Sequence, residues 1–273
     1  MIRIALPDAP FADPFVAALG IGPERLRPEV VRLPAHETAD ALRRGDVDVA
    51  LVPSLAVLRD PTAFAVLPSA ALSMWDFPFV RLVLGSGVGA GIETVVFDPR
   101  DQQAVVLTAL ILREHYGATP AFRPIETPSL GDLDEADAVL MAGPDVPVLD
   151  VGDRYAMDLG QEYYELVNYP LVWGLFAARS GAATPEQLRL VKAGAATAEA
   201  SRAGYVAAQE RSEAMRAFYA ESLRFRLDDL ATASLTELAD LLFEAGILDE
   251  VPTLPVAAFK DEDVEDGEQP PEA

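Results

Sequence analysis

Apolar residues along this chain recur in two alternating periods. Ile2–Leu6 is a short apolar run broken by Pro7, and Val30–Leu33 is another. Between them, Pro14–Leu19 has helical spacing, with Phe15, Val16 and Leu19 expected inward. Glu37–Arg44 predicts a short helix stopped by Gly45, and Asp46–Val52 alternates as a strand does. Strand, helix, strand, helix, strand at this spacing describes βαβ units on a mostly parallel sheet.

The same order returns further on. Strands are expected at Ala65–Pro68, Phe79–Leu84 and Thr94–Phe97, a helix over Asp101–Tyr116, and strands at Phe122–Ile125 and Ala138–Met141. Val105, Val106, Ala109, Leu112 and Tyr116 read as the inner face of that helix. Asp158–Leu166 reads as a helix that turns at Asn168-Tyr169-Pro170 into the apolar run Leu171–Ala178, since proline disfavours helix in the residue before it. A long Ala-rich helix starts after Thr184-Pro185, a second helical stretch covers Ala207–Leu223, and Ser234-Leu235-Thr236-Glu237 reads as a capping box.

This predicts two α/β lobes, one discontinuous (1–87 plus 176–258) and one inserted (88–175), followed by an acidic, disordered tail at 259–273. Two crossings are expected, near Gly85–Gly91 and near Tyr169–Ala178. The alternating glycines of the first invite a phosphate-loop reading. It fails on context, because the segment that follows reads as a strand and not a helix. Ligands in such chains sit between the lobes, at the C-terminal ends of strands.

Composition narrows the chemistry. A formal charge of −23 argues against nucleic acid and against anionic membrane surfaces, and makes any anion site depend on a few placed arginines or helix N-termini. The chain has no cysteine, which excludes disulfides, thiol catalysis and Cys-ligated metal. The two histidines, His36 and His115, have no second His at helical spacing, so neither a metal nor a Ser-His-Asp triad is expected. No cofactor is implied. The N-terminus does not read as a signal peptide and no apolar run approaches about 18 residues, so a cytoplasmic protein is expected.

Three stretches resemble a known family. Leu42-Arg43-Arg44-Gly45-Asp46-Val47-Asp48-Val49-Ala50-Leu51-Val52-Pro53-Ser54 is similar to a strand-end motif of the chorismate dehydratases of the futalosine route to menaquinone. Asp158-Leu159-Gly160 through Tyr169-Pro170-Leu171-Val172-Trp173-Gly174 is a second, and the C-terminal Leu-rich helix ending in Ala245-Gly246-Ile247 a third. The resemblance covers roughly residues 2–255. It implies a two-lobed clamshell of the type II periplasmic-binding-protein kind, working in the cytoplasm on a small carboxylate.

The pocket motifs depart from that family. Counted without gaps, its active-site Asn falls on Phe11 and its active-site Ser on Arg81, while its Ser-rich helix start falls on Arg100-Asp101-Gln102-Gln103-Ala104. The resemblance therefore assigns no catalytic residue. Two readings stand: a diverged, carbon–oxygen-cleaving chorismate dehydratase, or a clamshell that has lost the chemistry and binds or senses another small anion. Arg81 and Arg100 are the expected carboxylate contacts, since a guanidinium grips a carboxylate through two parallel hydrogen bonds. Gln102 and Gln103 are expected as hydrogen-bonding partners, Phe11 as a surface for a ring, and Ser54 at a strand end as a further contact. Asn168 and Tyr169 are expected nearest the ligand on the return crossing. Asp8 and Asp13 are acid–base candidates by type, but their place in a Pro-rich loop favours plain turn residues.

Overall fold

The computed structural model describes residues 1–21, 24–85, 91–207 and 213–260. Its strands are β1 (Arg3–Pro7), β2 (Glu29–Leu33), β3 (Val49–Pro53), β4 (Phe64–Met74), β5 (Val80–Leu84), β6 (Thr94–Phe97), β7 (Ala121–Pro124), β8 (Ala138–Ala142), β9 (Ala156–Asp158) and β10 (Leu171–Arg179). Its helices are α1 (Asp13–Leu19), α2 (Thr38–Arg44), α3 (Ser54–Arg59), α4 (Gln102–Tyr116), α5 (Leu159–Val167), α6 (Pro185–Ala207), α7 (Glu213–Ala217) and α8 (Asp229–Glu244).

Two five-stranded sheets organise them, in the orders β2-β1-β3-β10-β4 and β7-β6-β8-β5-β9. In each, three strands pair in parallel, joined by crossovers that carry α1 and α2 in the first sheet and α4 and then a short 3-10 turn (Leu130–Asp134) in the second, and an antiparallel strand lies beside the third: β10 on β3 in the first sheet, β5 on β8 in the second. The internal repeat read from the sequence is thus a repeat of topology.

The chain changes sheet between Met74 and Val80, ahead of the crossing expected at Gly85–Gly91, because β5 pairs with β8 and β9 and not with the first sheet. Residues 86–90 of that expected crossing, and 261–273 of the expected tail, lie outside the described residues. The chain returns at Asn168–Pro170, and all of β10, including Leu171–Leu175, belongs to the first sheet.

Several local expectations are corrected by packing. β4 runs on through Pro68 to Met74, with Ser69 at φ 77° where its pairing with β10 shifts register. The buried residues of α4 are Gln103, Ala104, Leu107, Thr108, Leu110, Ile111 and Leu112, so Leu112 lies inward as expected, while Val105, Val106 and Ala109 are half-buried and Tyr116 is exposed. Ser234 does not cap a helix. α8 starts a turn and a half earlier, where the Asp228 carboxylate accepts from Ala231 N–H at 3.0 Å. Ser234 is buried in mid-helix, and its hydroxyl donates to the Pro170 carbonyl at 2.6 Å.

Both crossings are held by side chains from either lobe. Ser222 Oγ accepts from Trp75 N–H (2.9 Å) and Asp76 N–H (3.0 Å). From the other side, the Asp158 carboxylate accepts from Phe77 N–H (2.6 Å) while capping α5 through Gly160 N–H (2.9 Å) and Gln161 N–H (3.1 Å). Gly160 is required there: a Cβ would stand 2.6 Å from Phe77 N and 2.7 Å from the Asp76 carbonyl carbon, both backbone atoms that cannot move aside cheaply. The return crossing is tied to α8 by Ser234 and by Tyr163, whose hydroxyl donates to the Ser234 carbonyl at 2.9 Å.

Candidate functional site

An open cavity of about 290 Å³ lies between the lobes. The first lobe contributes the segment entering α2 (Ala35, His36), α2 itself (Ala39, Asp40, Arg43) and the β3–α3 corner (Pro53, Leu55, Ala56, Arg59). The second contributes the start of α4, from Arg100 to Ala104, and Trp173 of β10 forms part of the wall. These are the C-terminal ends of β2, β3 and β6, where successive βα turns open toward one another as expected for such sheets.

Gln103 joins the lobes at the floor of this cleft. It is buried, its Oε1 accepts from Leu55 N–H at 2.9 Å, and its Nε2 donates to the Trp173 carbonyl at 2.7 Å. Both ends of the amide are therefore used on protein backbone. This side chain, expected as a ligand contact, fixes the cleft's width.

Arg100 lines the cleft but is held by its own strand end. Its Nε lies 2.9 and 3.0 Å from the two Asp98 carboxylate oxygens, and its Nη2 also contacts Asp98 and the Glu126 carbonyl. Hydrogen bonding to Arg100 lowers the pKa of Asp98. Gln102 lines the cleft as well, its Nε2 donating to the Pro99 carbonyl at 2.7 Å.

Asp101 differs from its neighbours. It occupies the N-cap position of α4, yet its side chain makes no capping hydrogen bond. Burial, reinforced by the nearby Asp98 charge and opposed by Arg100 and His36, pushes its pKa up to about 6. The cleft thus holds a carboxyl poised between acid and base near neutral pH. Across from it, Arg43 is paired with Asp40 (2.9 Å) and Asp60 (3.4 Å). Arg59 forms no ion pair or side-chain hydrogen bond among the described residues, which leaves its guanidinium for a carboxylate ligand. The sequence reading passed over Asp101, Arg59, Arg43 and Trp173. Asp101 stood inside a quoted motif, and the signal for it was an acidic residue at a helix start after a strand. Nothing local marked Arg59.

The remaining candidates lie elsewhere. Phe11 is buried in an aromatic cluster, 5.4 Å from Phe77 and 5.6 Å from Phe79 between ring centroids, which Trp173 and Phe218 extend. Ser54 is fully buried, its hydroxyl donating to the Val172 carbonyl at 2.8 Å. Arg81 sits in mid-strand on β5, between Met141 and Asp158, away from the cleft lining. Asn168 is the left-handed C-cap of α5 at φ 61°, and neither it nor Tyr169 lines the cavity. Asp8 and Asp13 pair with Arg32 at 3.3 and 2.9 Å. His36 reaches the cleft edge, whereas His115 stacks on Tyr116. Among the described residues no group of three or more His, Asp and Glu side chains could hold a metal ion, and no helix is long and apolar enough to cross a membrane.

Two α/β lobes, two crossings and an interlobe cleft define a protein of the periplasmic-binding-protein type. Solved structures share that fold: a protein from Archaeoglobus fulgidus (18% identical, covering 90% of this chain and 98% of that one, TM-score 0.63), and the periplasmic aliphatic sulphonate binding protein from Escherichia coli (11%, 93% and 95%, TM-score 0.65). The alkanesulfonate-binding protein from Xanthomonas axonopodis pv. citri, bound to MOPS, is a third (14%, 93% and 94%, TM-score 0.60). A family model described as menaquinone biosynthesis matches residues 2–244, and the chain belongs to that family. No curated protein matches it in sequence.

Proposed function

We propose that this protein binds a small carboxylate in the interlobe cleft and dehydrates it, with chorismate as substrate and Asp101 as the general base. The observation that carries the proposal is the Asp101 carboxyl, facing the cleft without a capping bond and with its pKa raised to about 6. Dehydration removes a proton from a ring carbon. Asp101 takes up that proton, the electrons of the C–H bond become a ring double bond, the C–O bond breaks, and the departing hydroxyl receives a proton, from the protonated Asp101 or from solvent in the open cleft, and leaves as water. A carboxylate that is mostly ionised at pH 7 but still appreciably basic suits the first step. Arg59, and Arg43 behind its own ion pairs, would hold the substrate carboxylates, and Gln103 would keep the lobes at the distance the substrate needs. On this reading the protein works in the cytoplasm, where a biosynthetic dehydratase meets its substrate.

The test is to incubate purified protein with chorismate and follow loss of chorismate and appearance of an enolpyruvyl-benzoate. Turnover that Asp101→Asn abolishes is the expected result. No turnover by the unmutated protein overturns the dehydratase reading.

One observation favours a second reading. Phe11 stands at the family's active-site Asn position and is packed into rings, with Phe77 and Phe79 beside it. An aromatic plug where the family keeps a polar group suits a protein that binds its anion without chemistry. That reading predicts a rise in melting temperature with chorismate or another carboxylate, by linkage, and no consumption of it.

A further inference from the structure

Trp173 lines the interlobe cleft from an irregular position in β10. Val172 pairs with Ser73 and Gly174 with Leu72, so a register shift falls on Trp173, which opposes no residue of β4. On the other side of the strand, pairing with β3 starts only at Gly174. An extra residue of this kind is a β-bulge, a device that re-aims a side chain and is common beside functional sites. Its effect shows in the packing of the strand. Leu171 and Trp173 lie on one face, as a period of two requires, yet Leu175 and Ala177 pack into the core on the other.

The re-aimed ring is fixed from behind. The Trp173 carbonyl accepts from Gln103 Nε2 at 2.7 Å, which ties the backbone that carries the ring to α4. Phe77, fully buried, stands 4.6 Å away between ring centroids with 51° between the planes, and Phe11 stands 5.4 Å beyond it. Phe77 is itself held through its N–H by Asp158. The indole therefore has little room to retreat from a ligand. The other ring in the cleft lining is the His36 imidazole, and the rest of the apolar lining is aliphatic, mostly alanine. Trp173 is thus the one large flat apolar surface there, in the same cavity as the unpaired guanidinium of Arg59.

We propose that Trp173 is the specificity-determining residue of the cleft: it stacks on a planar, unsaturated ring whose carboxylate Arg59 takes, and so selects flat ring carboxylates over saturated ones of the same charge and size. This rests on the reading of the cleft as a carboxylate site, and holds whether or not the bound carboxylate is then dehydrated. Burial of apolar area alone would give the opposite order, because a saturated ring of equal size carries more hydrocarbon surface.

The experiment is calorimetric titration of the full chain with benzoate and with cyclohexanecarboxylate at constant ionic strength. Benzoate should bind about two- to tenfold more tightly, the range for a stacked ring pair beyond its area. Trp173→Phe keeps a ring and should keep the preference. Trp173→Leu keeps apolar bulk and should erase the preference while both probes still bind, whereas a residue that only packs the hinge would weaken both alike. Arg59→Ala should weaken both probes and leave their ratio unchanged. A second readout does not depend on Trp173→Leu folding. In Trp75→Phe, Trp173 is the one remaining tryptophan, and benzoate should change its emission with the same Kd as the heat. Equal binding of the two probes, a preference that survives in Trp173→Leu, or an emission unmoved by bound benzoate overturns the proposal, while weakening of both probes by Arg59→Ala still supports a carboxylate site in the cleft. No saturable binding of either probe overturns the carboxylate reading and the proposal with it.

Discussion

Asp158 and Asp101 stand at equivalent places in the second lobe. Each ends or follows a strand of that sheet and occupies the N-cap of the next helix, and burial pushes the pKa of each up to about 6. Their surroundings differ. Asp158 accepts three backbone N–H bonds, one of them from Phe77 on the first crossing, so its carboxylate is committed to the hinge. Asp101 has no capping bond and faces a cavity opposite Arg59. A raised pKa alone therefore does not separate a structural carboxylate from a chemical one; the hydrogen-bond inventory around it does.

The comparison breaks most directly at Asp101. On the dehydratase reading, Asp101→Asn should lower turnover of chorismate by about 10²–10⁴-fold, the range for loss of a general base, while its melting temperature changes little. A parallel loss of activity and stability would make Asp101 a structural residue like Asp158. The converse substitution, Asp158→Ala, leaves three backbone donors without their acceptor. It should destabilise the fold by about 2–4 kcal/mol in denaturant titration, from a lost cap and a lost buried charge-assisted bond. Gly160→Ala should be comparably damaging, because its Cβ would meet backbone atoms.

A smaller effect sharpens the role of the cleft floor. Gln103→Ala removes two interlobe hydrogen bonds and leaves Leu55 N–H and the Trp173 carbonyl without them. A loss of about 1–3 kcal/mol of stability is expected, with weaker ligand binding as the lobes separate. A ligand affinity unchanged by this substitution would show that the cleft keeps its width without Gln103.

The smallest expected effect is on the pH dependence of stability, and its sign is fixed. Asp101 has a higher pKa folded, about 6, than the ordinary carboxylate value of 3.8. Its contribution to stability is therefore complete below the unfolded pKa and is lost as pH rises through about 6. The unmutated protein should gain melting temperature from this group as pH falls from 7 toward 4, and Asp101→Asn should reduce that gain.

Much of the scaffold was legible in the chain, because its periods and breaks are local. Gly45 ends α2 at φ 78°, as the sequence suggested, and Thr184-Pro185 opens α6, with Gln187 Oε1 accepting from Thr184 N–H at 2.8 Å. The Asp158-Leu159-Gly160 stretch was conspicuous for a reason that is now physical, a cap and a close backbone approach. The site was less legible, because it is assembled from segments far apart in sequence. Arg81 could be matched by counting to a family position but points from mid-strand on β5, and Ser54's hydroxyl is spent on Val172. Ser234 looked like a helix start because a hydroxyl three residues before a glutamate is one; only the packing of α8 on Pro170 reveals its other use. Arg59 had no local mark, since its meaning comes from what lies across the cleft.

The measurement closest to the central claim is the pH profile of kcat/KM for chorismate consumption by the unmutated protein beside Asp101→Asn. If Asp101 is the base, activity rises with pH through an apparent pKa near 6, and the variant loses both the activity and that limb of the profile. Chorismate consumption that persists in Asp101→Asn with the same limb, or no consumption by either protein, would contradict it.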